Sequence, residues 1–501
     1  MTHAPGDAES AARPAGSLPW PQQQRNLLLF ATCTGLIYLA APVLYVGITQ
    51  ASLSHRLGAD ARTANLPGTL FFAMTATPAL IAWLSPRVAA LLRNLSLCYA
   101  TSAVMLAAVA ATLLSPLPDP IKLTVVILQG GVSGATMPTA VALLWEVIGR
   151  GTDESRRGWA LSLAFGAGPL LAVVGSFGQT TLLGGQFFGW HLPGIDYPRN
   201  FALLFAAAVP VMLLAAGLSR LFHVPPATIE PAREPAARVL GLLVGLPSLC
   251  ASVALIHLAA VTDQPAWRWL GWLAAIVATV AIVYHFRSLL RQRTLLAATV
   301  VTILVYSGNM IPTNMNLYSS QALGGDPDQY AGVQNLLRFG FKVAAGAAFG
   351  QLLIRTHPRA GLLATALVYV IAPLWAAIAT GPWYLLAFGI FGAGELVGVY
   401  APNYLVSASR TADLRRNMAF MTMLMVPAAP AGYLYGAIVD LARRQDWTWG
   451  GWTSETLGFR LSFLVCAVFI VAGIVLTLVL LPRHPVAEKT AEEPERDGSP
   501  A

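Results

Sequence analysis

Apolar runs of about 20 residues recur along the whole sequence, and each is long enough to cross roughly 30 Å of hydrocarbon as a helix. Only 11% of the 501 residues are charged, whereas an average soluble protein has about 25%. A soluble enzyme of this length would need a charged surface, so the composition excludes one. The sequence predicts an all-α polytopic membrane protein whose mass lies almost entirely in the bilayer.

We predict fourteen membrane-spanning helices, numbered here as spans 1 to 14. Their approximate bounds are 26–50, 64–84, 94–114, 121–148, 158–183, 200–221, 239–262, 267–287, 294–320, 329–355, 360–380, 382–407, 415–440 and 457–481. The segments 1–24 and 484–501 are polar and are predicted to be disordered cytoplasmic tails, and 222–238 is predicted to be a cytoplasmic linker.

The orientation follows from the distribution of positive charge. With both termini placed in the cytoplasm, the inner segments hold 21 Lys and Arg residues and the outer loops hold eight. Cytoplasmic loops of membrane proteins carry this excess. Arginine outnumbers lysine 28 to 3, which suggests a GC-rich bacterial genome, and we therefore predict a bacterial inner-membrane protein with both termini cytoplasmic.

Three short patterns occur twice in the same order, at offsets of 264, 259 and 268 residues. They are Gly130-x3-Gly134-x3-Pro138 with Gly394-x3-Gly398-x3-Pro402, Glu154-x-Arg156-Arg157 with Asp413-x-Arg415-Arg416, and Ala82-x-Leu84-x2-Arg87 with Gly350-x-Leu352-x2-Arg355. The repeat predicts two six-helix bundles, 25–221 and 288–483, separated by two additional helices in 239–287. Parallel six-helix repeats that enclose a central site are a transporter architecture. Helix packing is the favoured role for the repeated glycines, because small residues four apart let helices approach closely.

These motifs resemble those of the major facilitator superfamily, and the layout resembles its fourteen-helix branch of drug:proton antiporters. The stretch from Leu128 to Pro138 is similar to the span-4 motif of that branch, although Val126 stands where the family has an arginine. Gly168-Pro169 is similar to a span-5 motif of exporters. The stretches ending at Arg87 and Arg355 are similar to the loop motif that latches the two halves. The resemblance implies alternating-access transport.

Charged residues inside the membrane are functional-site candidates by default. Arg338 and Lys342 lie four residues apart and therefore share one face of span 10. Lys342 and Glu395 each lie about 13 residues, or roughly 20 Å, from the outer ends of spans 10 and 12. An ion pair between the two spans is therefore expected. It is either a substrate and proton-coupling site with one residual positive charge, which favours an anionic or zwitterionic substrate, or a structural pair. The residues leave both interpretations open, and Glu395 is the candidate proton carrier.

Further polar residues are expected around the same cavity or at the gates. The cavity or coupling set is Gln129, Tyr306, Asn309, Gln334, Arg338, Lys342, Glu395 and Asn403, and the gating or motif set is Arg87, Glu154, Arg156, Arg157, Gly168, Pro169, Arg355, Asp413, Arg415 and Arg416. For the arginine pairs at the cytoplasmic ends, topology is the favoured explanation over a gating role, but topology does not explain the acid that precedes each pair.

The sequence thus predicts a secondary active transporter that moves a small organic solute by alternating access, with proton-coupled efflux as the preferred mode. The alternatives are a non-transporting receptor or assembly factor on the same fold, and a uniporter or importer of an organic anion. No enzyme motif or P-loop occurs in the sequence, and no cofactor site is expected. No metal site is expected either, because the four cysteines lie in apolar runs without nearby ligands. The expected partners are a small-molecule substrate, H⁺ and the lipid bilayer, with no nucleic acid, and the protein is expected to be a monomer.

Overall fold

The computed structural model of the chain describes residues 18–152, 168–184, 186–187, 190–191, 195–226, 236–262, 264–290, 292–407 and 425–485. Within these residues nearly all regular structure is helical, which confirms the all-α prediction. In the part of the chain that the structure describes, ten helices are long and apolar enough to cross a membrane, so the chain is an integral membrane protein. Spans 1, 5, 10 and 13 are not among the ten, and the count of fourteen stays a prediction.

The first half of the chain contains the helices of spans 1 to 6. They are Trp20–Leu39, Ala41–Leu44 and Ile48–Arg56 in span 1; Ala61–Ala64, Leu66–Ala73, the 3₁₀ turn Met74–Ala76 and Thr77–Leu84 in span 2; the 3₁₀ turn Val88–Ala90 and Leu91–Leu114 in span 3; Asp119–Gly151 in span 4; Gly168–Gly184 in span 5; and Arg199–Leu218 with the 3₁₀ turn Ser219–Leu221 in span 6. A short antiparallel hairpin pairs Gln186–Phe187 with Trp190–His191.

The remaining helices belong to spans 7 to 14. They are Ala236–Thr262 in span 7; Pro265–Leu290 in span 8; Arg293–Tyr306, the 3₁₀ turn Ser307–Met310 and Pro312–Leu323 in span 9; Pro327–Arg355 in span 10; Pro358–Ile378 in span 11; the 3₁₀ turn Gly381–Leu385, Leu386–Gly394 and Val397–Ser407 in span 12; the 3₁₀ turn Val426–Ala428 and Pro430–Arg444 in span 13; and Ser454–Leu480 in span 14.

The first helix begins at Trp20, within the segment 1–24 that was predicted to be a disordered tail. Pro21 occupies a first-turn position, where a missing N–H costs nothing and the fixed φ of proline suits a helix. At this end of the bundle Asn26 donates to the carbonyl oxygens of Gly151 and His223. We call this end, where the first described helix begins and the last one ends, the terminal end, and the opposite end the far end.

Spans 7 and 8 form a helical hairpin that packs mainly on itself. Its first helix contacts span 2 and its second helix contacts span 9, so the hairpin spans the edge between the two halves. The outer face of span 8 is strongly apolar and exposed, with Trp269 exposed by 75% and Val280 by 63%. Such a face is suited to lipid, because lipid tails are as apolar as these side chains.

Several of the described helices are interrupted within their spans, among them span 2 at the 3₁₀ turn Met74–Ala76, and spans 1, 9 and 12 are interrupted as well. Span 1 breaks at Gly47, whose φ of 125° is one that residues with a side chain rarely adopt. Span 9 breaks at the 3₁₀ turn before Pro312, and span 12 breaks at Glu395 and Leu396. The breaks in spans 1 and 9 are in contact, because the Thr313 hydroxyl group donates a hydrogen bond of 3.4 Å to the carbonyl oxygen of Gly47. Discontinuous helices of this kind form binding sites in transporters because the interrupted backbone can turn polar groups toward a substrate.

The repeated glycines serve helix packing, as the sequence favoured. A Cβ on Gly130 would overlap the backbone of Pro67, and one on Gly134 would overlap the carbonyl oxygen of Phe71. Spans 2 and 4 are therefore in backbone-to-backbone contact. In the second half, Gly394 gives room to the ring of Tyr369.

Gly134→Ala is expected to lower the melting temperature of the purified protein in detergent, since overpacking a close helix contact costs about 1–3 kcal/mol. The matched control is Gly149→Ala on the same helix, where an added Cβ meets nothing within 4 Å. Equal melting temperatures for the two variants would contradict the packing role of Gly134.

Candidate functional site

The charged residues of spans 10 and 12 meet inside the bundle. Arg338 donates from Nε to Glu395 Oε2 at 2.9 Å and from Nη2 to Glu395 Oε1. Lys342 Nζ lies 3.4 Å from Glu395 Oε2. The side chains of Arg338, Glu395 and Lys342 are exposed by only 6%, 12% and 18%. We call these three residues the charge cluster.

Local structure explains why the cluster forms. Arg338 and Lys342 are one turn apart on an unbroken helix, whereas Glu395 is the residue at which span 12 breaks. Gly392 brings the two spans together, because a Cβ there would overlap the carbonyl oxygen of Arg338. The close approach lets a short carboxylate side chain reach both cations.

Aromatic rings surround the guanidinium group of Arg338. Its Cζ atom lies 5.5 Å from the ring centre of Phe339 and 5.3 Å from that of Phe391. Such cation–π contacts stabilise a desolvated cation. Tyr369 packs beside Phe391 and donates to Oδ1 of Asn309. Sequence reasoning missed the three aromatic residues, because rings on apolar helices are usually core residues and nothing in the sequence sets these apart.

The cluster has spare binding capacity. Nη1 of Arg338 is buried and has no hydrogen-bond partner among the described residues, and the same holds for Nε2 of Gln334, one turn away. An unpaired buried donor costs about 1–3 kcal/mol. With Glu395 ionised, the cluster has a net charge of +1. The unpaired donor and the residual charge both favour an anion.

The other predicted cavity residues divide into two groups. Tyr306 is buried beside Gly398 and close enough to Glu395 for electrostatic interaction. Gln129 instead donates to the Val43 carbonyl oxygen, just before the break in span 1, and thus supports the backbone there. The side chain of Asn403 lies outside the described residues.

The predicted gating residues are only partly described. Arg87 lines a small cavity of about 70 Å³ between spans 2, 3 and 4 at the terminal end, and Arg355 is exposed. Gly168 and Pro169 are buried, and a Cβ on Gly168 would overlap the ring of Tyr38. Six further residues, Glu154, Arg156, Arg157, Asp413, Arg415 and Arg416, lie outside the described residues.

At the far end, two buried carboxylates of the second half hold the first half. Asp328 accepts from Arg56 Nε at 3.0 Å and from Nη2 at 3.1 Å. Asp440 accepts from the backbone N–H groups of Ala61 at 3.2 Å and Arg62 at 3.0 Å. The two aspartates are only 3% and 4% exposed. We call these contacts the far-end clamp.

The sequence did not predict the clamp, and neither Asp328 nor Asp440 is among the candidate site residues named above. Uncharged contacts between the two halves extend the far-end clamp toward the centre of the bundle. Ser52 donates to Asn316, 264 residues later in the chain, so this bond joins the two halves. Asn335 donates to Gln179, and Gly332 packs directly on Thr180. The far end is therefore closed by contacts between the two halves.

Comparison with known proteins identifies the fold. No protein-family model and no curated protein sequence matches the chain. Among solved structures, a POT peptide transporter in complex with sulfate has a TM-score of 0.61 at 16% identity, covering 91% of this chain and 93% of that one. A structure of proton-dependent oligopeptide transporters gives 0.58 at 17%, covering 92% and 98%. The nucleoside transporter NupG gives 0.57 at 12%, covering 90% and 98%. The chain has the major facilitator fold, as the resemblance implied.

Replacing Asp440 with Asn is expected to open the far end in a larger fraction of molecules, because the clamp loses its charge and part of its acceptor capacity. The measurement is the spin-label distance between His55→Cys and Gln445→Cys, one residue in each half, in a background without the native cysteines. Asp119→Asn is the control, because this exposed carboxylate pairs with Lys122 on its own helix. Unchanged distances in the Asp440→Asn variant would show that the clamp does not hold the halves.

Glu395→Gln is expected to destabilise the protein by about 3 kcal/mol, because removing one partner leaves buried charge uncompensated. Lys342→Met removes only the longer contact and leaves a neutral Arg338–Glu395 pair, so it should cost much less. Thermal unfolding of both variants in detergent gives the comparison. An equal loss of stability in the two variants would contradict the dominant role of the Arg338–Glu395 pair.

Proposed function

We propose that the protein is a proton-coupled secondary transporter that carries a small organic anion by alternating access. The observation that carries the proposal is the charge cluster, which is buried, has a net charge of +1 and leaves Arg338 Nη1 unpaired. Residual charge in a low-dielectric site is costly. An anion at Arg338 and Lys342 would neutralise it.

The same cluster supplies a physical route to proton coupling. Both cations favour the ionised form of Glu395, and an anion bound to them weakens that effect. Anion binding therefore promotes protonation of Glu395, and by reciprocity a proton on Glu395 promotes anion binding. A carrier in which two ligands bind cooperatively moves them in the same direction. An anion and a proton would thus cross together.

The closed far end supports alternating access. The far-end clamp seals one side of the charge cluster, and a cavity lined by spans 1 and 4 lies on the terminal side. For a solute to leave through the far end, the clamp must open. We propose a monomer in a bacterial cytoplasmic membrane. The charge distribution of the loops favours cytoplasmic termini, so the far end would face outward.

Proton-coupled efflux is the second candidate, and the buried Gly168-Pro169 motif favours it. Export by exchange for protons requires the solute and the proton to compete for one site. An organic cation would compete with a proton for Glu395, whereas an anion would not. Whether the solute and the proton move together or in exchange therefore distinguishes anion cotransport from proton-coupled efflux. Exchange would also support a relation to the drug:proton antiporter branch.

The experiment uses the full chain in proteoliposomes with a pH-sensitive dye inside. Inward gradients of organic anions and, separately, of organic cations are applied. Anion entry that acidifies the interior would support cotransport, and Glu395→Gln should abolish the acidification. Glu455→Gln is the control, because this half-exposed residue pairs with Arg443 in a surface contact.

Three outcomes would overturn the proposal. Interior alkalinisation driven by a cation gradient would establish exchange and favour efflux. Absence of flux for every anion and cation, with the protein folded, would favour the non-transporting receptor. Anion flux without proton movement, unchanged by Glu395→Gln, would reduce Glu395 to a structural partner and indicate uniport.

A further inference from the structure

Five basic residues lie together at the terminal end of the second half, where span 10 ends, span 11 begins and span 14 ends. They are Arg355, His357, Arg359, Arg483 and His484. The rings of His357 and His484 have centres 5.5 Å apart, and Arg359 donates from Nη1 to the Leu481 carbonyl oxygen at 2.6 Å. These contacts join the start of span 11 to the end of span 14. We call the five residues the basic patch.

The basic patch has no carboxylate partner among the described residues. Partial burial and the neighbouring His484, Arg359 and Arg483 lower the pKa of His357, so its ring is neutral at neutral pH. Nδ1 of this ring accepts from the Ala360 N–H at 3.1 Å, and the ring proton therefore lies on Nε2, where it can bind an anion. Nε of Arg359 is buried and has no hydrogen-bond partner among the described residues. The patch thus combines positive charge with unused donors.

Topology alone does not explain the patch. Cytoplasmic loops carry an excess of Lys and Arg, but that rule gives no reason for two histidine rings in contact beside arginines. Like charges this close repel one another in the absence of a counterion. An anion with several oxygen atoms would relieve the repulsion and occupy the donors.

An apolar stripe on the outer face of span 14 ends at the basic patch. Val468, Val471, Val475 and Val479 recur every three or four residues, so they share one helix face, and they are exposed by 45% to 72%. The helix rises about 16 Å from Val468 to Val479, close to half of the roughly 30 Å hydrocarbon core. Arg483 follows just beyond the end of this helix. The stripe and the patch together have the length and polarity of one phospholipid in one leaflet.

We propose that the basic patch binds the phosphate group of an anionic phospholipid whose acyl chains lie along the valine stripe of span 14. Basic pockets at the ends of membrane helices bind anionic head groups, and arginine forms strong charge-assisted hydrogen bonds with phosphate oxygens. The lipid would connect the ends of spans 10, 11 and 14 and so stabilise the second half. The site is separate from the charge cluster and does not depend on which solute is carried.

The test is a lipid titration of the purified full chain in detergent, with bound lipids counted by native mass spectrometry. The probes are dioleoylphosphatidylglycerol, dioleoylphosphatidylcholine and inorganic phosphate. Phosphatidylglycerol is expected to bind at least tenfold more tightly than phosphatidylcholine, and a large excess of inorganic phosphate should not displace it. The double variant Arg355→Gln/Arg483→Gln should weaken phosphatidylglycerol binding at least tenfold, because each basic residue near an anionic surface contributes roughly fivefold. Phosphatidylcholine binding should not change.

The matched control is the double variant Arg199→Gln/Arg444→Gln. It removes the same charge from two arginines that are exposed at the far end, as Arg355 and Arg483 are at the terminal end. Binding of phosphatidylglycerol to the control should equal that of the wild type. If the test variant does not fold, Arg483→Gln compared with Arg444→Gln gives the same comparison with one charge removed.

Four outcomes would overturn the lipid site. Equal binding of the two phospholipids, or equal weakening in the test and control variants, would show that no specific site exists. Displacement of phosphatidylglycerol by inorganic phosphate would assign the patch to free phosphate. The segment 486–501 contains five carboxylates and two basic residues, and lipid binding that occurs only after its removal would assign the patch to that acidic segment.

Discussion

The bidentate contact between Arg338 and Glu395 is the interaction on which the centre of the molecule depends. Each ion alone would be costly at this depth, and together they are stable only because the geometry is close and the hydrogen bonds are made. Lys342 adds a second cation, so the carboxylate cannot neutralise the cluster. A buried cluster with unequal charge is a poor way to hold two helices together. It is a suitable way to attract an anion, and this is why we favour function over structure.

The backbone around the cluster is arranged for the same purpose. Span 1 breaks at Gly47, span 9 before Pro312 and span 12 at Glu395, whereas span 10 runs unbroken past the centre. The interrupted helices leave short segments that can shift separately. The continuous helix keeps Arg338 and Lys342 in register. The far-end clamp then closes the bundle above the site with two carboxylates that have to be rehydrated before that end can open.

Much of the site follows from sequence because its features are local or periodic. The four-residue spacing of Arg338 and Lys342 predicts that they share one helix face. The equal depth of Lys342 and Glu395 predicts their partner on span 12. The repeat predicts two six-helix halves, and a hydrogen bond from Ser52 to Asn316 joins the first part of the chain to the second. Composition and apolar runs were sufficient for the all-α membrane fold.

What the sequence could not predict depends on contacts between distant segments. Asp440 accepts hydrogen bonds from backbone N–H groups of the other half, and no pattern of residues in the sequence indicates such a partner. The sequence did not predict that the first helix begins at Trp20, because the polar glutamines after Pro21 are typical of a disordered tail. Phe339 and Phe391 are typical core residues until the structure places Arg338 between them.

Linkage between anion and proton binding is the central claim, and calorimetry measures it directly. Titrating an organic anion that the proteoliposome assay identifies as a substrate into the purified protein, in buffers of different ionisation enthalpy, gives the number of protons exchanged on binding. We predict net proton uptake in the wild type and none in the Glu395→Gln variant. Proton release on binding, or uptake that persists in that variant, would contradict the account.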